Sequence, residues 1–201
     1  MTFTVLGLGS NRSFGGLVPL ELLVRACGML KNLFCSDFCV SSVYISKAMY
    51  VEKQADFHNM CVCGFTEFSA GELLSEIHKI EFSLGRNRAD EIRNGPRSID
   101  IDIELFGNEK INYNNPDDKM ESLQIPHPRL YERAFVLVPL VELLEVLPEN
   151  VEIQNKRVFE KSLLKTGGQG IRKIVDSADF KSLLAKESGA KNGRTGSNSS
   201  N

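Results

Sequence analysis

Apolar and polar positions change period several times along the chain, and each change marks an element. Thr2 to Leu8 is apolar and β-branched and stops at Gly9-Ser10-Asn11, with Gly15-Gly16 following, so it predicts a first strand. From Leu17 to Leu33 the apolar residues Leu17, Leu20, Leu23, Val24, Cys27, Leu30 and Leu33 recur at helical spacing. Phe38 to Ser46 predicts a second strand, Lys47 to Asp56 a polar loop, and Asn59 to Phe65 a third strand. Ser69 to Leu84 predicts a helix, with Ser69 as N-cap and Glu72 three residues on in the capping-box arrangement. Gly85 to Arg97 is again polar. Ser98 to Phe106 alternates, with Ile99, Ile101 and Ile103 on one side and Asp100 and Asp102 on the other. After a polar excursion from Asn112 to Lys119 and the run Leu123-Gln-Ile-Pro-His-Pro, Val136 to Leu144 predicts a final helix.

The resulting order, βαββαβ plus one helix, implies an α+β sandwich with helices packed on one mainly antiparallel sheet. Beyond about Leu164 the pattern weakens. The expected division is a domain over 1–165, a weakly structured extension over 166–187, and a disordered tail over 188–201, which is nearly all Gly, Ser, Asn and Lys.

Composition narrows the classes. The 201 residues are 42% hydrophobic and 25% charged, with a formal net charge of −2, which suits one soluble domain and argues against a nucleic-acid binder acting through bulk charge. Met1-Thr-Phe-Thr-Val-Leu has no basic region and no long apolar core, so no signal peptide is expected. With no apolar run long enough to span a bilayer, a cytoplasmic location without membrane contact is the expectation. Cys27, Cys35, Cys39, Cys61 and Cys63 lack the histidine or cysteine pairs that complete a zinc site, and they are read as reduced thiols in the core.

The chemistry gathers on the fourth strand. Asp100 and Asp102, two residues apart, share a strand face, and such a like-charge pair is costly unless a cation neutralises it. Mg²⁺ typically takes one or two carboxylates and fills its shell with water and phosphate oxygens. The pair taken alone also fits a solvated strand face. Arg86, Arg88, Arg93 and Arg97 precede it, and guanidinium forks beside a carboxylate pair suit phosphoryl transfer, although the same loop also fits a solvated segment or an RNA-facing anion site. Glu104 continues the strand face and is read as solvated where the strand leaves the sheet, with a place in a metal shell as the other reading. His127, between Pro126 and Pro128, reads by itself as structural.

Taken together, these blocks resemble one family. Gly95-Pro96-Arg97-Ser98-Ile99-Asp100-Ile101-Asp102-Ile103-Glu104-Leu105-Phe106-Gly107 resembles the signature of the 6-hydroxymethyl-7,8-dihydropterin pyrophosphokinases. Ile125 to Leu140 is similar to that family's second block, Gly7 to Asn11 to its opening Gly-Ser-Asn turn, and Gln54 to Asn59 to its pterin-side loop. The resemblance covers roughly residues 2 to 148. It implies a ferredoxin-like fold and transfer of pyrophosphate from ATP to the hydroxymethyl group, giving AMP and a pterin diphosphate for folate synthesis.

By the same resemblance, Asp100 and Asp102 hold two Mg²⁺ ions, and Arg86 and Arg97 stabilise the phosphates. Arg88, His127, Arg133, His78 and Glu81 face ATP, while Phe57 and Phe135 sandwich the pterin and Asn59 reads its polar edge. A monomer is expected. The chain departs from the family pattern at Ser46 to Tyr50, His58, Asn94 and Ser122, which implies altered affinity with the chemistry intact. A different two-metal phosphotransferase or nuclease would share the aspartates and arginines without needing Phe57, Asn59 and Phe135. A catalytically idle scaffold would bind nucleotide without turnover.

Overall fold

The computed structural model describes residues 1–48, 54–88, 92, 94–113, 123–147 and 156–192. In chain order its elements begin with β1 (Thr2–Ser10), α1 (Pro19–Leu30), β2 (Ser36–Val40), β3 (Val43–Ser46), β4 (Phe57–Thr66) and α2 (Ala70–Ser83). They continue with β5 (Asp100–Phe106), β6 (Ile111–Tyr113), β7 (Leu123–Ile125), α3 (Ala134–Val146), α4 (Lys156–Thr166), β8 (Arg172–Val175) and α5 (Ser177–Asn192). Met49, Tyr50, Arg93, Ser122 and residues 193–201, singled out in the sequence, lie outside the described residues.

The main sheet runs β5-β1-β4-β3-β8, with β2 also paired to β4, and every pairing is antiparallel. Counted as one interrupted strand, β2 and β3 complete with β1, β4 and β5 the ferredoxin-like βαββαβ unit that the pattern predicts. The interruption has a local cause. Ser41 Oγ accepts the Cys61 backbone N–H at 2.9 Å, and Ser42 donates from its N–H and hydroxyl to Glu142 of α3, at 2.8 and 2.5 Å. Ser41 keeps one backbone bond, from its N–H to the Cys61 carbonyl at 2.9 Å, but side chains take the neighbouring groups, so the single strand expected over Phe38 to Ser46 is two.

Alternation along the strands divides the core. Leu6, Leu8, Met60, Val62, Ile101 and Ile103 pack with Leu22 and Leu23 of α1, Leu73 and Ile77 of α2, and Phe180 of α5. Phe3, Val5, Cys61, Cys63 and Leu105 face the other way, onto Val136, Leu137, Leu140 and Leu143 of α3 and Phe159 of α4. Helices thus cover both faces. Each fully buried leucine or isoleucine contributes roughly 1.5–3 kcal/mol, so either face alone outweighs any single polar contact at the site.

The C-terminal region differs from expectation. Residues 166–187 are not weakly structured, because β8 adds to the outer side of β3 and α5 packs on α1 through Phe180 and Leu184. The helix continues through Ser188 to Asn192, so the tail expected from 188 begins no earlier than 193. Arg25 of α1 pairs with Glu187 at 2.8 Å.

At the other end of the fold α2 begins as expected. Ser69 Oγ accepts from the Glu72 N–H at 3.3 Å, and Glu72 accepts from the Ser69 N–H at 2.9 Å. It ends at Gly85, whose φ of +85° suits glycine and whose missing Cβ makes room for the Phe14 ring. That stop directs the chain back so that Arg86 and Arg88 meet the helix they have just left.

Candidate active site

Three strands supply one wall of the site. β5 presents Asp100, Asp102 and Glu104 on the α3 side, β4 presents Phe57 and Asn59, and β1 between them carries Gly7 and Gly9. The glycines make the space. A Cβ on Gly9 would lie 3.5 Å from Asn59 Oδ1 and 3.7 Å from the Phe57 ring, and one on Gly7 would lie 2.8 Å from Glu104 Oε1. Opposite stand Arg133, the N-cap of α3, and Phe135 in its first turn. The cavity, partly open to the surface, is about 110 Å³ and is also lined by Ser46, Lys47, Gln54, Asn94 and Arg97.

Asn59 is buried, and its amide N–H groups donate to Ser46 Oγ at 3.0 Å and to the Phe57 carbonyl at 3.1 Å. Its oxygen is therefore the atom that faces Gly9 and the cavity. Phe57 and Phe135 both line that cavity.

The charged centre is an interlocked cluster. Arg86 Nη1 bridges Glu81 and Asp100, Arg97 Nη1 pairs with the other Asp100 oxygen, and Arg88 Nη2 donates to Glu81 at 2.7 Å. Burial alone would raise the Asp100 pKa, but the guanidiniums of Arg86 and Arg97 outweigh it and hold the carboxyl below its usual range. Asp102 shows no ion pair among the described residues. Burial, helped by the Asp100 charge, pushes its pKa up to about 7. A carboxylate without an ion pair beside one doubly paired with arginine could take an incoming cation.

Glu81 is a correction to the sequence reading. Expected to face ATP, it lines neither cavity: it is fully buried, and it accepts from the Ile101 backbone N–H at 2.7 Å besides holding Arg86 and Arg88. Burial raises its pKa against the pull of those two arginines. Arg86 is likewise buried, its side chain 5% exposed, and acts as the strut between two carboxylates, whereas Arg97 and Arg88 are 23% and 35% exposed. Glu104 is a second correction. The expected solvated residue is 1% exposed, with its pKa raised well above the usual range by burial and then by Asp102.

Asp102 also borders a second cavity of about 320 Å³, on the side of Arg88, Leu74 and His127. His127 is half-buried, its N–H bonded to the Glu104 carbonyl at 3.2 Å and its Nδ1 accepting from the Arg129 N–H at 3.2 Å. Burial and the nearby Arg133 lower its pKa to about 4, so the imidazole is neutral at pH 7. His78 lies on α2 one turn before Glu81, half-buried, and lines neither cavity.

One organising residue escaped the sequence reading of individual roles. Asn11 Oδ1 accepts the Arg97 N–H at 2.7 Å, while its Nδ2 donates to Gln54 Oε1 at 3.1 Å and to the Ala55 carbonyl at 3.0 Å. Gln54 then donates to the carbonyl of Asn94, a residue at φ +60°. The only sequence signal was its place in the turn that ends the first strand.

Comparisons with known proteins place the chain in a family. Over 106 residues the chain is 45% identical to a 2-amino-4-hydroxy-6-hydroxymethyldihydropteridine pyrophosphokinase of Bacillus subtilis, a match covering 53% of this chain and 58% of that protein. Over 183 residues it is 35% identical to a folate synthesis bifunctional protein of Arabidopsis thaliana, covering 91% of this chain and 35% of that one. The chain thus matches less than two thirds of the length of either relative. A crystal structure of HPPK-DHPS from Plasmodium falciparum shares the fold with a TM-score of 0.60 at 16% identity, covering 84% of this chain and 47% of that one. Residues 5–145 match the family of 7,8-dihydro-6-hydroxymethylpterin-pyrophosphokinases (HPPK), and the chain belongs to that family.

Proposed function

We propose that the chain transfers a pyrophosphoryl group from ATP to 6-hydroxymethyl-7,8-dihydropterin, giving AMP and the pterin diphosphate on the route to folate. The observation that carries this reading is that Asp102 borders both cavities, so an acceptor and a nucleotide would meet at one strand. The first cavity has the chemistry for a flat heteroaromatic acceptor: two phenyl rings and the Asn59 amide oxygen, with Asp100 near its mouth. The second, beside Arg88 and His127, is the side for the phosphates. A nuclease or a different phosphotransferase would have no use for the Phe57, Asn59 and Phe135 set.

The donor set fits magnesium. Among the described residues no group of three or more His, Cys, Asp or Glu side chains converges as a complete metal cage. Hard carboxylate oxygens at Asp100 and Asp102, completed by phosphate and water, are what Mg²⁺ prefers, and these two residues would hold two such ions. Bound there, the ions would supply positive charge against the negative charge that develops on the phosphates.

The chain's own residues do the rest. Phe57 and Phe135 hold the ring, and Asn59 Oδ1 accepts from a donor on its edge. Asp100, held ionised by its arginines, is a weak base and orients the hydroxymethyl group rather than removing its proton early. The hydroxymethyl oxygen bonds to the β-phosphorus, the bond from that phosphorus to the α-phosphate oxygen breaks, and the hydroxyl proton passes to solvent. Arg97 and Arg88 stabilise the oxygens that gain charge, and Arg86 keeps both carboxylates in place. Such alignment supplies most of what phosphoryl transfer needs.

We further propose that the protein works as a cytoplasmic monomer without nucleic acid. Among the described residues no helix is long and apolar enough to cross a membrane. The test of function is direct: protein, ATP, Mg²⁺ and the pterin, with products separated by chromatography. AMP formed one-for-one with pterin diphosphate, and only with metal, is the expected result; ADP in place of AMP would overturn it.

A further inference from the structure

Glu104 lies on the floor of the acceptor cavity, and no step above uses it. It is the extra residue of a β-bulge: Leu6 pairs with Ile103 and Val5 with Leu105, so Glu104 has no counterpart on β1. The bulge lets Leu105 enter the core under α3 while Glu104 still faces the cavity. β1 accommodates the carboxyl by carrying Gly7 against it. Yet Glu104 Oε2 is buried without a hydrogen-bond partner. A buried polar atom in that condition is costly, and it persists where it has a use.

Arg133 carries the complementary gap. Its Nε is also buried without a partner, it lines the same cavity, and its guanidinium sits 5.5 Å from the centre of the Phe135 ring. It is also the cation whose field reaches the Glu104 carboxyl. A guanidinium anchored at Nε has its remaining N–H fork free to aim at a dianionic group.

We propose that Glu104 is a positioning residue: once substrates are bound, its carboxyl anchors Arg133 Nε through one water, and so fixes both the guanidinium fork facing the phosphates and the Phe135 face on which the pterin lies. This rests on the reading of the cavity as the pterin site.

The test is a double-mutant cycle with Glu104→Leu, Glu104→Gln and Arg133→Met. Steady-state kinetics are measured alongside calorimetric binding of the pterin with Mg²⁺ and a non-hydrolysable ATP analogue. Glu104→Leu is expected to lower kcat/KM for the pterin by about 10–100-fold, as loss of an orienting partner does. Glu104→Gln, which keeps an acceptor oxygen, should recover most of that loss. In the Arg133→Met background Glu104→Leu should add nothing. The ligand-free Glu104→Leu protein should melt no lower than wild type, because removing an unpartnered buried carboxyl relieves the fold; a purely structural residue would lower it. Where leucine does not fit, Glu104→Met carries the same comparison. Additive losses in the cycle, or wild-type kinetics in Glu104→Leu, would overturn the proposal. Should wild type bind the pterin yet release no AMP, the reading of function fails, while the binding cycle still decides the role of Glu104.

Discussion

The carboxylate of Glu81 accepts the backbone N–H of Ile101 at 2.7 Å, and this bond ties the last turn of α2 to the peptide lying between Asp100 and Asp102. One buried side chain thereby sets the depth of both aspartates and, through Arg86 and Arg88, the course of the arginine loop.

Glu81→Ala is expected to unfold at lower denaturant, by about 3–5 kcal/mol, since it takes one of two carboxylates from the buried Arg86 and leaves a buried N–H without its acceptor. Urea titration followed by circular dichroism measures the loss. An unchanged midpoint would show that Glu81 does not hold the cluster.

Asp102→Asn is expected to abolish Mg²⁺-dependent turnover while leaving the fold intact. The pH behaviour adds a second signature. The folded pKa of about 7 lies above the usual 3.8, so the stability this carboxyl contributes is complete below about pH 4 and is lost as pH rises through 7. Without metal, the asparagine variant should therefore melt above wild type at pH 8, with the gap much narrower at pH 5 and closed only near pH 4. Thermal melts at these pH values, with EDTA present, decide it.

The two glycines of β1 should respond differently to added side chains. A Cβ at Gly9 makes only ordinary contacts, so Gly9→Val should fold and fill the cavity beside Phe57, raising the pterin KM by roughly 10–200-fold with the nucleotide KM little changed. Gly7→Ala meets the Glu104 carboxyl and should instead cost about 1–3 kcal/mol of stability. Kinetics and melts of the pair separate the two effects.

Cys39 stands directly opposite Cys63 across β2 and β4, and a hydrogen bond from Cys63 is the main cause of a Cys39 pKa lowered to about 6. Labelling by iodoacetamide at Cys39 should rise with a midpoint near pH 6 and vanish in Cys39→Ser. Peptide mapping across pH 5–8 reads this out; a midpoint above 8 would contradict it.

Much of this was legible before the structure. Period alone placed β1, α1, β4, α2 and β5, because each has one apolar face that only one element type can bury. Ser69 and Glu72 announced their own helix start. The sequence set the Asp100–Asp102 pair close to the arginines, and the structure brings Phe57, Asn59 and Phe135 to one cavity beside them. The misreadings share a cause: each depended on a partner far away in the chain. Ser41 and Ser42 break a strand because Glu142 lies a hundred residues on. Glu81 is buried because Arg86 and Ile101 come to it, and Glu104 because a bulge and Gly7 make room. α5 carries almost no amphipathic signal, since two residues four apart, Phe180 and Leu184, supply its buried contacts.

The strand β8 has a bearing on colloidal behaviour. It covers the outer side of β3, so the sheet's open edge is not Val43-Tyr44-Ile45, an apolar run ready to template another chain, but a strand carrying Arg172 and Lys173. Shortening the protein to the span its family shares would uncover that run beside Ser46, the residue that holds Asn59. β8 thus shields that run from pairing with the edge of another chain.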